Sequence, residues 1–260
     1  MYARTIIIVG DKFAQFAEEK DALTISQLRT MLKQDSLAMS KLSQITLVPG
    51  QGIGDTDAAK LMDEASNSTN RQHFDFSLWH NRPKRAESNL SHKSNPENTL
   101  ISVPQCLYED CYKMQLMVDE NCEQMSDHQS GQHVQGMVLF EAARQSLLVV
   151  TEAFYITDSA TKYAFVFNKM GVHYNQFAFP FDAELIYEIR EKNTRKKTRM
   201  SFTVDIRIEQ CGVTTASFDA EFSVFRNEVI SSREKTLAGE ALDTHITNTT
   251  QQRVGLIVNG

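Results

Sequence analysis

The sequence predicts an α+β protein in which an antiparallel sheet wraps one long helix, with a small α/β unit ahead of it. Three observations lead there. Short β-branched runs alternate with helix-like segments over residues 1–80, a single apolar segment near the middle is long enough for a helix of about 20 residues, and four later runs alternate apolar and polar side chains with the period of a strand.

TIIIV, Thr5 to Val9, opens the first unit as a strand; helix-like sequence follows to about Gln34, and a second apolar run spans Gln44 to Val48. After Pro49, Asp55 or Thr56 can cap a helix carrying Ala58, Ala59, Leu61 and Met62, and FDFSLW, Phe74 to Trp79, reads as a third strand. Gly50, Gly52 and Gly54 stand where a phosphate-binding turn would, but the GxGxxG spacing is absent, so a plain loop is the favoured reading. NRPKRAESNLSHKSNPEN, Asn81 to Asn98, is polar, charged and proline-containing, as a linker or edge segment is. The expected organisation is a unit over 1–80, a linker over 81–98, a main domain over 99–230 and a C-terminal extension over 231–260.

In the main domain Met114, Leu116 and Val118 alternate with polar neighbours before the helix. After it come Tyr163, Phe165 and Phe167, then Glu184 to Arg190, then Phe202, Val204, Ile206 and Ile208 opposite Thr203, Asp205, Arg207 and Glu209. A last run sets Phe218, Ala220, Phe222 and Val224 against Ser217, Asp219, Glu221 and Ser223. These strands have one dry and one wet face. One strand, one helix and four antiparallel strands is the order of a hotdog fold. Such a sheet leaves an edge strand open, which predicts a homodimer.

Composition narrows the function. A net charge of −6 excludes a general nucleic-acid binder, which needs a cationic surface. No run of about 18 apolar residues spans a membrane, and MYARTIIIVGDKF is too short in its apolar part for a signal peptide, so the expected location is the cytoplasm. Cys106, Cys111, Cys122 and Cys211 lack CxxC pairing, zinc spacing and any local cue for a lowered pKa, and are read as reduced and structural. No cofactor and no metal are expected.

The chemistry gathers around SDHQSGQHVQGMVLFEAARQSLLVVTEAFY, Ser126 to Tyr155. Val138, Leu139, Ala142, Ala143, Leu147, Val149 and Val150 make the helix apolar on most sides. Glu141, Arg144 and Gln145, at i, i+3 and i+4, break that pattern on one face. They are read either as an acceptor-orienting group or as a structural ion pair that locks a dimer. Gly136 is the expected helix entry; the unpaired amides of Gly136 and Met137 would hold a thioester carbonyl as an oxyanion hole. Asp127, His128 and His133 flank the preceding loop. The histidines could be solvated, form a metal pair, or include the proton-transfer group.

The string DHQSGQHVQGMVLFEAARQ resembles the signature of the A-factor biosynthesis hotdog family, with its DH, its DHVPGM-like turn and its LLEAARQ helix. SHKSNPENTLIS, Ser91 to Ser102, is similar to that family's opening HK segment, and the likeness covers roughly Asn89 to Arg226. Gln132 stands where the family has a second aspartate and Gln135 where it has proline; the small α/β unit replaces the first of two tandem repeats. The resemblance implies transfer of a β-ketoacyl group from an acyl carrier protein to dihydroxyacetone phosphate, in γ-butyrolactone signal synthesis. A more distant likeness, to 3-hydroxyacyl-carrier-protein dehydratases, places Glu141 at their acidic position and His128 near their histidine, with one residue fewer between them.

The expected function is therefore acyl transfer from acyl carrier protein or acyl-CoA, the chain carried on phosphopantetheine, to a small hydroxylated acceptor in specialised biosynthesis. His128, His133 and Glu141 are the expected catalytic residues; Asp127, Gly136, Met137, Arg144 and Gln145 are the expected substrate-binding ones. A dehydratase or thioesterase on the same carrier, and a non-catalytic acyl-binding scaffold, are the alternatives. REKNTRKKTR, Arg190 to Arg199, is either a solvated hairpin tip or a dock for an acidic carrier or a phosphate.

Overall fold

The computed structural model describes residues 4–18, 20–34, 44–127, 131–158, 161–196 and 198–258, with side chains to position 251. Its first unit runs β1 (Arg4–Val9), α1 (Ala14–Ala17), β2 (Ala22–Thr24), α2 (Ile25–Lys33), β3 (Ile45–Pro49), α3 (Asp55–Ser66), β4 (Phe74–Asp75) and α4 (Ser77–His80). Its strands pair in parallel in the order β2-β1-β3-β4. Helix α2 starts where Thr24 and Gln27 form a reciprocal capping box, and it buries Ile25, Leu28 and Leu32 on one face. The expected third strand over Phe74–Trp79 shrinks to two residues followed by a helical turn. Phe74, Phe76 and Trp79 are all buried, and three apolar anchors in six residues suit a turn as well as a strand.

The order in which strands are added reverses between the parallel neighbours β1 and β3, and the crevice beyond the carboxyl ends of such strands is where α/β sheets hold ligands. Here the chain fills it itself. Gly52 N–H donates to the Val118 carbonyl at 2.9 Å, the Asp119 carboxylate lies against Gly54 at the start of α3, and Glu120 Oε2 accepts from Lys12 N–H at 2.8 Å. A side chain at position 10 would meet Gly52 O at 2.5 Å and Glu120 Oε2 at 2.6 Å, so glycine is needed for this closeness. Burial pushes both carboxyls above their ordinary values.

The second sheet contains β5 (Gln105–Tyr108), β6 (Cys111–Gln115), β7 (Tyr163–Tyr174), β8 (Glu184–Lys196), β9 (Arg199–Gln210) and β10 (Val213–Arg226). All pairings are antiparallel, in the order β5-β6-β8-β9-β10-β7. Met200, Phe202, Val204, Ile206 and Ile208 face inward from β9, and Phe218, Ala220, Phe222 and Val224 from β10. They pack on α5 (Gly136–Phe154), where the stretch from Gln145 to Thr151 is buried on every side. Phe13 and Phe16 of the first unit belong to this same core. A final helix, α6 (Asn227–Val258), leaves the end of β10 and is exposed along its described side chains.

The polar stretch 81–98 is tied down. The Arg85 side chain is buried, binds Asp55 Oδ2 at 2.9 Å, and donates to the carbonyls of Thr99 and Met117. No helix among the described residues is long and apolar enough to cross a membrane.

Candidate active site at the start of the buried helix

Helix α5 begins at Gly136 because Gln135, in an extended conformation, turns its carbonyl to the N–H groups of Val138 and Leu139 at 3.0 and 3.3 Å. The N–H groups of Gly136 and Met137 have no partner among the described residues, and the helix dipole adds positive potential there. Beside them opens a cavity of about 390 Å³ whose wall includes His133, Val134, Gly136, Leu139, Tyr174 and Phe177. The His133 ring lies 4.7 Å from the Phe177 ring, centroid to centroid. Tyr174, at the end of edge strand β7, donates its hydroxyl to the Gly136 carbonyl at 2.9 Å. The absent side chain at 136 is thus used by the tyrosine ring, whose Cζ lies 2.9 Å from where a Cβ would be.

Glu141 stands about 140° around the helix from Gly136, since each residue turns the axis by about 100°. Its carboxylate accepts from Arg144 at 2.7 and 2.8 Å, from Gln145 at 3.0 Å, and pairs with Lys93 at 2.9 Å. Burial alone would raise its pKa, but hydrogen bonds from Arg144, Gln145 and Lys93 outweigh it and draw the carboxyl down to about 2. A carboxylate so held stays ionised at neutral pH and accepts hydrogen bonds rather than giving up a proton. Gln145 is fully buried: its oxygen accepts from Leu100 N–H at 2.8 Å, and its amide nitrogen donates to the Asn98 carbonyl at 2.7 Å as well as to Glu141. Its polar groups are spent on tying α5 to the segment before β5.

The structure brings His133 and Gly136 together at one cavity, with the exposed Met137 next to them on the helix. Glu141, Arg144 and Gln145 form a second cluster with Lys93, outside the wall of that cavity. Asp127 is exposed, and His128 lies outside the described residues. The basic stretch is at the β8–β9 turn, where Arg199 pairs with Phe225 and Phe225 with Ala164; Tyr174 pairs with Ala216 ten positions further along β7. The two ends are roughly 30 Å apart at strand rise. Sequence reasoning missed Tyr174 and Phe177. The alternation Tyr163, Phe165, Phe167 does not lead to Tyr174, because the irregularity between Phe167 and Lys169 shifts its phase.

A six-stranded antiparallel sheet curled around one buried helix, with open amides and a histidine at the helix start, defines a hotdog protein. Residues 76–226, more than half of the 260, match the A-factor biosynthesis hotdog domain, and the chain belongs to that family. Curated protein sequences give no match. Among solved structures, a mutant thioesterase from Pseudomonas aeruginosa is similar at 14% identity over 53% of this chain and 91% of its own, TM-score 0.39. A thioesterase from Haemophilus influenzae shows 13% identity over 54% and 87%, TM-score 0.37. A hypothetical thioesterase protein with coenzyme A from Streptococcus pneumoniae shows 14% identity over 47% and 84%, TM-score 0.34.

Proposed function

We propose that this protein takes a β-ketoacyl group from an acyl carrier protein and transfers it to a small hydroxylated acceptor. The observation that carries this reading is the pair of open amides on Gly136 and Met137 beside His133, at the mouth of an apolar-walled cavity. The thioester carbonyl oxygen sits on the two amides. His133 removes the proton of the acceptor hydroxyl as its oxygen attacks the carbonyl carbon. The amides hold the tetrahedral oxyanion; the C–S bond then breaks, and the departing phosphopantetheine thiolate takes the proton back from His133. No covalent enzyme intermediate is needed, and among the described residues the cavity wall holds no cysteine or serine.

Glu141 and Arg144 are assigned to the acceptor side of the site, in a homodimer paired through the edge of β7. Val166, Phe167, Val172 and Tyr174 of that strand are exposed large side chains, and a long open edge calls for a cover. The cytoplasm is the compartment in which we place this carrier-dependent reaction.

The test is incubation with β-ketoacyl carrier protein and dihydroxyacetone phosphate, followed by mass spectrometry. An acylated acceptor, lost in His133→Ala, supports transfer. The same geometry with water as nucleophile is a thioesterase, so release of free acid without acceptor would replace transfer by hydrolysis, and enoyl product would indicate dehydration. Tight carrier binding with no turnover on any acceptor would make the protein an acyl-binding scaffold.

A further inference from the structure

The Lys12–Ala17 segment lies outside the part of the chain that matches the family, yet it touches both walls of the candidate site. On one side it holds the loop that leads into α5. Lys12 Nζ donates to the Met125 carbonyl at 2.7 Å, Phe16 N–H to the Gly131 carbonyl at 3.0 Å, and Gln132 Nε2 to the Gln15 carbonyl at 3.2 Å. Gly131 has φ +72, and a Cβ there would meet Gln15 Oε1 at 2.7 Å and Gln15 Cβ at 3.2 Å. On the other side the Phe16 ring stands 6.1 Å from both Phe179 and Phe181, in the segment that carries Phe177 against His133. Val134 N–H, donating to the Ala178 carbonyl at 2.8 Å, joins the two walls. The segment is itself anchored, since Phe13 and Phe16 are buried in the large core and Lys12 N–H is bound by Glu120.

We propose that Lys12, Gln15 and Phe16 are positioning residues of the site. They touch no substrate; they fix the loop on which His133 stands and the wall against which its ring rests. This is the work of the N-terminal unit, whose own ligand crevice is filled by Asp119 and Glu120. The proposal rests on the reading of His133 as the proton-transfer group. Its physical basis is that a side chain on a loop keeps its place only if the loop itself is held, and a misplacement of about 1 Å can lower a rate 100-fold.

The experiment compares the full-length protein with Lys12→Met, Lys12→Arg and Gly131→Ala. Two readouts need no substrate: hydrogen–deuterium exchange of peptides over 125–135 and over β8–β10, and the rate at which diethyl pyrocarbonate modifies His133, mapped by mass spectrometry. Lys12→Met and Gly131→Ala should speed exchange over 125–135 roughly tenfold and change the His133 modification rate, with β8–β10 unaltered and Lys12→Arg close to the parent. With turnover in hand, kcat should fall while KM for the carrier stays near the parent value. Unchanged exchange and modification in both variants would overturn the proposal, as would a rise shared equally with β8–β10, which marks general loosening. A parent protein without transfer activity would refute the proposed reaction, and the substrate-free readouts would still decide the positioning.

Discussion

The Tyr174 hydroxyl is bonded to the Gly136 carbonyl at 2.9 Å, and its ring fills the space a side chain at 136 would need. A strand edge and a helix start are thereby joined at the cavity wall. Gly136→Ala forces the half-exposed ring aside, and alanine itself favours the helix by up to about 1 kcal/mol. The expected outcome is urea-unfolding stability within about 1 kcal/mol of the parent, with transfer activity or carrier affinity reduced at least roughly tenfold. Unaltered activity would remove Tyr174 from the wall's function.

Glu141 should govern acid stability. Its pKa is about 2 when folded against an ordinary 4.5, a depressed value, so its contribution is complete above about pH 4.5 and is lost as pH falls towards 2. With the side chain only 13% exposed, the contribution reaches up to about 3 kcal/mol. Glu141→Gln should be less stable than the parent at pH 7, and urea midpoints of the two should draw together below about pH 4.5 and meet near pH 2. Parallel pH curves would exclude this linkage.

A buried and a half-buried tyrosine should respond in opposite directions. Tyr187 is fully buried and its hydroxyl has no hydrogen-bond partner among the described residues, whereas Tyr155 donates to Asp110 at 2.7 Å and meets the Tyr112 hydroxyl at 3.0 Å. Tyr187→Phe removes an unmatched polar atom and should stabilise by about 1 kcal/mol; Tyr155→Phe should cost about 1.5–3 kcal/mol. Denaturant melts of the pair are the measurement, and a destabilised Tyr187→Phe would contradict the structure at that point.

Arg85 joins the first unit to the second sheet. Its buried guanidinium bridges Asp55 at the start of α3 and the carbonyls of Thr99 and Met117, so Arg85→Met leaves these acceptors without their cation. Asp55 is largely solvated, so the expected cost is that of two buried carbonyls left without a donor, about 2–4 kcal/mol in thermal or urea unfolding. Trp79, packed against Phe76 in the first unit, gives a local fluorescence signal, and its transition should separate from the far-ultraviolet dichroism signal of the whole chain in the variant.

Strands β9 and β10 were readable because each has one buried and one more open face, as in Phe202–Ile208, and period 2 then survives in the sequence. The start of α5 was readable from the glycine and the apolar run behind it. Phe74–Trp79 misled because a buried turn and a short strand place their apolar side chains alike. The glutamine at 145 gave no sign of its three internal bonds, since a polar residue on a helix reads the same whether it meets substrate or backbone. The hold of Lys12 and Phe16 on the loop was invisible for a further reason: Met125 and Gly131 receive it through their carbonyls, which every residue possesses.

The self-filled crevice also orders events during synthesis. Chains fold from the N-terminus as they emerge, but the first unit lacks its closing carboxylates until Asp119 and Glu120 have left the ribosome. Until then the backbone amides at Gly52 and Lys12 face water. The nascent unit closes its crevice only once the segment after β6 has emerged, and a truncation ending before Val118 leaves both amides without these partners.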